Sequence, residues 1–187
     1  RFESLKKQYG KGFELRGKTL GIVGLGRIGK SLAEYAIGCG MKVIACDRNL
    51  TENATLTFSI GAHTIQVAIP VLPLNELLSS SDIVSIHVPK QPGGAAVIGL
   101  EEFSQIKKGI VLINTSRGGV IDEKLLLQHL DAGNVRAACL DVFEGEPQVN
   151  PALLSHPAII CTPHIGAATV EAQERIGLEI AEIGRAH

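Results

Sequence analysis

The stretch KTLGIVGLGRIGK, residues 18–30, limits the possible fold more than any other part of the chain. An apolar run suited to a short strand, about Thr19 to Val23, leads directly into Gly24-Leu25-Gly26-Arg27-Ile28-Gly29, a G-x-G-x-x-G pattern. A helical pattern follows, with Ile28, Leu32, Tyr35 and Ala36 on one face and Gly38 and Gly40 at its end. The glycine pattern alone says little, but between a strand and a helix each glycine has a task. Gly24 permits the tight turn, Gly26 lets the backbone approach a pyrophosphate, and Gly29 lets the helix pack close to the strand. The helix start offers unpaired N–H groups and a partial positive charge to the phosphates. The next strand, MKVIACD, closes on Asp47, 18 residues after Gly29. A carboxylate there suits two ribose hydroxyls and repels a 2′-phosphate, so NAD rather than NADP is the expected cofactor.

Apolar runs and helical segments keep alternating along the chain. Strands are expected from about residues 19, 43, 64, 83, 110 and 136, with a seventh near 159. Residues 48–81 are the least regular, with a weak strand near Thr64 to Val67 and a short helix started by Pro73. Asp122 is placed to cap the helix of DEKLLLQHLDAG. Continuous apolar strands separated by helices indicate an α/β fold: a doubly wound parallel sheet of the Rossmann type, in three αβα layers. A length of 187 residues, 45% of them apolar, suits one domain, 1–187.

Charge and cysteine content narrow the function classes. A net charge of −1, with no long run of one sign, argues against a nucleic-acid surface. Cys39, Cys46, Cys139 and Cys161 form no CxxC pair and fit no zinc module, so no metal site is expected. They read as reduced packing residues of a cytoplasmic protein. No run approaches the roughly 18 apolar residues of a membrane span. The ends, RFESLKKQYGKG and EIAEIGRAH, read as helices entered or left midway.

Three further stretches carry chemistry. NTSRGGVID, LDVFEGEP and TPHIG each close an apolar strand, and open α/β sheets bind ligands at the carboxyl ends of their strands. Arg117, Glu146 and His164 can therefore converge on the edge that carries the glycine loop. Singly, each has a plainer reading as a solvated arginine, a turn residue or a structural loop histidine. Together they supply a guanidinium able to grip a carboxylate through two bonds, a proton carrier near neutral pH, and a carboxylate able to stabilise its charged form.

The stretches GKTLGIVGLGRIG, INTSRGGVIDE, CLDVFEGEP and TPHIGAATVEAQ, in this order from Leu15 onward, resemble the D-isomer-specific 2-hydroxyacid dehydrogenases, and most closely the D-3-phosphoglycerate dehydrogenases of serine biosynthesis. The resemblance implies a cofactor domain flanked by stubs of two helices that lead to a second, largely absent substrate domain. It implies that Arg117 holds the substrate, that His164 is the general acid/base and that Glu146 orients it. Asp141 would bind the nicotinamide carboxamide, and Arg27 and Ile28 would flank the pyrophosphate. Val88, Pro89, Thr115 and Ser116 would line the cofactor, and Gly166 and Ala167 would complete the loop beside His164.

The implied activity is hydride transfer between NAD and a small 2-hydroxy or 2-oxo acid, 3-phosphoglycerate first. Glyoxylate or hydroxypyruvate reduction and D-lactate oxidation are alternatives within the class. An NAD-sensing, dehydrogenase-like co-repressor that binds protein partners is the alternative outside it. A homodimer formed through this domain is also implied. The chain departs from the family at HVPKQPGGAAVIG, where Val88 replaces a threonine and Gly93-Gly94 loosens the loop. His87 reads as a packing residue at a strand end, and His63, His129 and His156 as surface or helix positions without an evident partner.

Overall fold

The computed structural model describes residues 2–10 and 12–185; His187 lies outside them. Its elements run α1 (Phe2–Tyr9), β1 (Thr19–Val23), α2 (Arg27–Gly38), β2 (Lys42–Cys46), β3 (Ala54–Ile60), β4 (His63–Ile69), α3 (Leu74–Ser80), β5 (Ile83–Ile86), α4 (Leu100–Gln105), β6 (Ile110–Asn114), α5 (Glu123–Asp131), β7 (Val135–Leu140), α6 (Pro151–Ser155), β8 (Ile159–Cys161) and α7 (Val170–Arg185). Six strands form one parallel sheet in the order β2-β1-β5-β6-β7-β8. The chain winds outward one way from β1 to β2 and the other way from β5 to β8. The topological switch point therefore lies between β1 and β5, where a crevice opens at their carboxyl ends.

Alternate side chains of each strand feed two cores. Leu20, Ile22 and Ile83 pack with Ala33 and Ala36 of α2 on one face. Val84, Ile86, Leu112, Ala138 and Leu140 pack on the other with Leu77 and Leu78 of α3, Phe103 of α4, Leu126 of α5 and Leu153 of α6. This is the doubly wound, three-layer arrangement expected from the continuous apolar strands.

One expected strand is not in that sheet. Thr64–Val67 lies within β4, which pairs only with β3 as an antiparallel hairpin. Leu56 and Ile69 turn one face of the hairpin into the α2-side core, while Thr57 and Gln66 sit opposite each other on the exposed face. The place beside β2 is taken by a single parallel bridge between Ala45 and Val71. Ala45 donates its N–H to the Pro70 carbonyl and accepts the Leu72 N–H, both at 2.8 Å. Pro70 and Pro73 flank this bridge and lack donors to extend a ladder, so the strand stops there.

The helix boundaries follow local chemistry. Asp122 caps α5 by accepting the Leu125 N–H at 2.9 Å. Gly40, at φ 77, closes α2 by donating to the Ile37 carbonyl, and Met41 donates to that of Ala36. Among the described residues no helix is long and apolar enough to cross a membrane. Two of the histidines without an evident partner have one: His129 stacks on Phe103 at 4.6 Å, and His156 meets Asp131 at 3.3 Å.

Candidate active site

The glycine loop sits at the switch point. Gly24 adopts φ 95, and a Cβ there would stand 2.6 Å from the His87 carbonyl oxygen at the end of β5. At Gly29 a Cβ would overlap the Gly24 carbonyl, so the close approach of α2 to β1 requires glycine. A Cβ at Gly26 would meet nothing, because that position faces open space. Gly26 caps α2 with no side-chain bond to the helix, and the first turn holds no acidic residue. The positive end of the helix thus faces a cleft of about 320 Å³, lined by Gly24, Gly26, Asp47, Val88 and Pro89. These features fit a dinucleotide: a cradle without side chains, a helix N-terminus for the pyrophosphate and a carboxylate for the ribose.

Asp47 has a structural duty as well. It accepts the Leu25 N–H on Oδ2 at 2.8 Å and the Asn49 N–H on Oδ1 at 2.9 Å, which ties the glycine loop to the end of β2. Each oxygen keeps a further lone pair for a ribose hydroxyl. A second and larger recess, about 1070 Å³, runs along the α2 side of the sheet past Arg27, Ile28, Gly29, Thr115 and Gly166. His87 borders both spaces, bonded to the Ser85 hydroxyl at 2.9 Å. Burial pushes its pKa down, which favours the neutral ring.

The other site residues occupy loops after β6, β7 and β8, three neighbouring strands. After β6, Asn114 organises the arginine turn: its Oδ1 accepts the Ser116 N–H and hydroxyl, and its Nδ2 donates to the Arg117 carbonyl. The Arg117 guanidinium donates to the Ser116 carbonyl at 2.6 Å and is otherwise turned to solvent. After β7, Glu146 accepts the Phe143 N–H on Oε1 at 2.7 Å. Its Oε2 lies 2.8 Å from His164 Nδ1. A carboxylate only accepts, so Nδ1 carries the proton and Nε2 is left bare to accept another. The histidine bond, with the Phe143 N–H, holds the Glu146 carboxyl below its ordinary range.

After β8, His164 stands at φ 53, the only described non-glycine residue with positive φ. That conformation costs of order 1–3 kcal/mol and persists where the surroundings enforce it. Asp141 enforces it. Its buried carboxylate accepts the Thr162 hydroxyl at 2.5 Å, the Ile165 N–H at 2.9 Å and the Gly166 N–H at 2.8 Å, bracketing His164 on both sides. Burial pushes the Asp141 carboxyl up, but these three bonds, with His164 nearby, outweigh it and leave it low. A Cβ at Gly166 would stand 2.9 Å from Asp141 Oδ2. The Ala167 carbonyl accepts from Gln173 Nε2 at 2.9 Å, which fastens the loop to α7.

The sequence pointed to Glu146 and His164, and they meet. It did not point to the roles of Asn114 and Thr162, whose strand-end positions before Arg117 and His164 were the available signal. The loop-holding duty of Asp141 was also missed.

A parallel doubly wound sheet with a pyrophosphate cradle at its switch point, and an imidazole–carboxylate pair on the same edge, defines the nucleotide-binding domain of a dehydrogenase. The chain belongs to the D-isomer specific 2-hydroxyacid dehydrogenases, whose NAD binding domain model matches residues 2–166. It is 43% identical over 171 residues to a D-3-phosphoglycerate dehydrogenase of Bacillus subtilis, covering 91% of this chain and 31% of that protein. It is 41% identical over 175 residues to a hydroxypyruvate reductase of Thermotoga maritima, covering 92% of this chain and 53% of that one. Among solved structures, the D-lactate dehydrogenase of Aquifex aeolicus in complex with NAD and lactic acid matches all of this chain and 60% of its own, at 30% identity and a TM-score of 0.75. The chain thus spans about a third to a half of the curated relatives it matches.

Proposed function

We propose that the full-length protein oxidises a D-2-hydroxy acid with NAD, and that its substrate is 3-phosphoglycerate. The observation that carries the reading is the 2.8 Å contact between His164 and Glu146, on the sheet edge that holds the glycine cradle. Bound NAD supplies the hydride acceptor. The chain's own residues do the rest. Arg117 grips the substrate carboxylate through paired N–H donors. The bare Nε2 of His164 takes the hydroxyl proton as the C–OH carbon becomes a carbonyl. Glu146 keeps the ring in the tautomer that leaves Nε2 free and stabilises the imidazolium that forms. Asp141 holds His164 in its φ 53 conformation and keeps a lone pair for the nicotinamide carboxamide. Ser116, Thr115, Val88 and Ala167 line the cofactor.

In this reading α1 and α7 lead to a substrate domain outside the chain, and the cleft between the two domains orients the substrate. Identity to phosphoglycerate dehydrogenases supports the substrate; the similar hydroxypyruvate reductase marks the first alternative. The α2-side face of β6–β8 supports self-association: Ile160 there is 66% exposed, and Val111 and Ile113 are only partly covered. Four free cysteines support a reducing, cytoplasmic setting. A panel of D-2-hydroxy acids offered with NAD to the full-length protein tests the reading. Oxidation of 3-phosphoglycerate well above lactate and glycerate is expected, and NADH formation from none of them would refute it.

A further inference from the structure

The turn that carries Glu146 is held from outside by a residue the reaction does not use. Glu123, the first residue of α5, accepts the Glu144 backbone N–H on Oε1 at 2.6 Å. Within the turn, Glu146 Oε1 takes the neighbouring Phe143 N–H, which leaves Oε2 for His164. The other flank of the turn rests on Gly118, where a Cβ would overlap the Phe143 carbonyl and stand 2.9 Å from the Glu144 nitrogen. The segment from Arg117 to Glu123 therefore grips the glutamate turn at two consecutive residues, Phe143 and Glu144. Its own far end is fixed, because Asp122 caps α5 through Leu125 and donates its N–H to the Ile98 carbonyl at 3.0 Å.

The position is an awkward one for a carboxylate. Burial pushes the Glu123 carboxyl up; the Glu144 N–H opposes this, and the carboxylates of Glu144, Asp122 and Glu146 add to it. A side chain serving only solubility would gain by turning outward into water. Glu123 instead spends an oxygen on one amide, that of Glu144, 21 positions further along the chain in the turn after β7.

We infer that Glu123 is a positioning residue for the His164–Glu146 pair: by holding the Glu144 amide it sets where the Glu146 carboxylate stands, and it locks the arginine and glutamate turns into one unit. The inference rests on the reading of His164 as acid/base and Glu146 as its partner.

The test is the pH profile of kcat/KM of the full-length protein carrying Glu123→Ala, Glu123→Gln or, in parallel, Glu146→Gln. With Glu123→Ala the freed turn should lower kcat/KM on the order of tenfold, since small misplacements in a catalytic constellation are costly. Its acid limb should move in the same direction as that of Glu146→Gln, with NAD affinity unchanged. Glu123→Gln should restore both rate and limb, because the side-chain amide oxygen accepts the same bond. An acid limb unmoved by Glu123→Ala, or no rescue by glutamine, overturns the inference. If the alanine variant fails to fold, Glu123→Asp, one methylene shorter, should move the limb likewise, and an unmoved limb again overturns it. Should Glu146→Gln move the limb while the Glu123 variants do not, this inference alone fails. Should none move it, the pairing of Glu146 with His164 fails and takes the inference with it.

Discussion

Glu146 Oε2 stands 2.8 Å from His164 Nδ1, while the other oxygen of the same carboxylate is tied to the Phe143 N–H. The carboxylate is thus fixed from one side, and it meets the imidazole at Nδ1. A glutamine at this position cannot stabilise an imidazolium as a carboxylate does. In the full-length protein, Glu146→Gln should move the acid limb of the pH–rate profile to lower pH and reduce kcat. A profile that superimposes on the parent's removes Glu146 from its role.

Asp141 makes a second prediction, on stability. Its folded pKa is depressed, so its contribution is present above the unfolded value, ~3.9, and is lost as pH falls through the lower folded value. An asparagine has one acceptor oxygen and sets two donors against the Ile165 or Gly166 amide. Asp141→Asn should therefore cost about 2–4 kcal/mol in urea unfolding at neutral pH. The gap between variant and parent should narrow as the pH drops below ~3.9. A gap that stays constant with pH would show that the charge of Asp141 is not what holds the loop.

The dual attachment of Asp47 gives a third. Its carboxylate anchors Leu25, and in the proposed reading it also meets the ribose and repels a 2′-phosphate. Titration calorimetry with the parent chain should show NAD binding at least tenfold more tightly than NADP, about 1.4 kcal/mol or more. Asp47→Ala should weaken NAD, because the glycine loop loses its tether, while the preference between the two cofactors shrinks. Equal affinities in the parent would contradict the assignment.

Much of this was legible because it is local. The glycine loop needs only a strand before it and a helix after it, and Asp122 reaches an amide three residues away. Arg117, Glu146 and His164 could be placed on one edge because each follows an apolar run, and parallel strands bring their carboxyl ends together. The β3–β4 hairpin was missed although its signal is present. TLTFSIGAHTIQVAI alternates polar and apolar on both sides of a Gly61-Ala62 turn, with Gly61 at φ 58. Counting apolar runs alone finds only its second half, Thr64 to Val67, and places it in the parallel sheet. The Asp141 bonds to residues 24 and 25 positions away, and the Glu123 bond 21 positions away, exist only once neighbouring strands are packed. No spacing rule in a single sequence encodes them.

If His164 moves the proton while the glycine cradle holds the cofactor, loss of the imidazole should separate turnover from cofactor binding. NADH formation from 3-phosphoglycerate and NAD affinity are measured together for the full-length parent and for His164→Ala. Turnover should fall by three or more orders of magnitude, ~4 kcal/mol of transition-state stabilisation, while NAD binds as before. A His164→Ala protein that turns over at the parent's rate with intact NAD binding would contradict it.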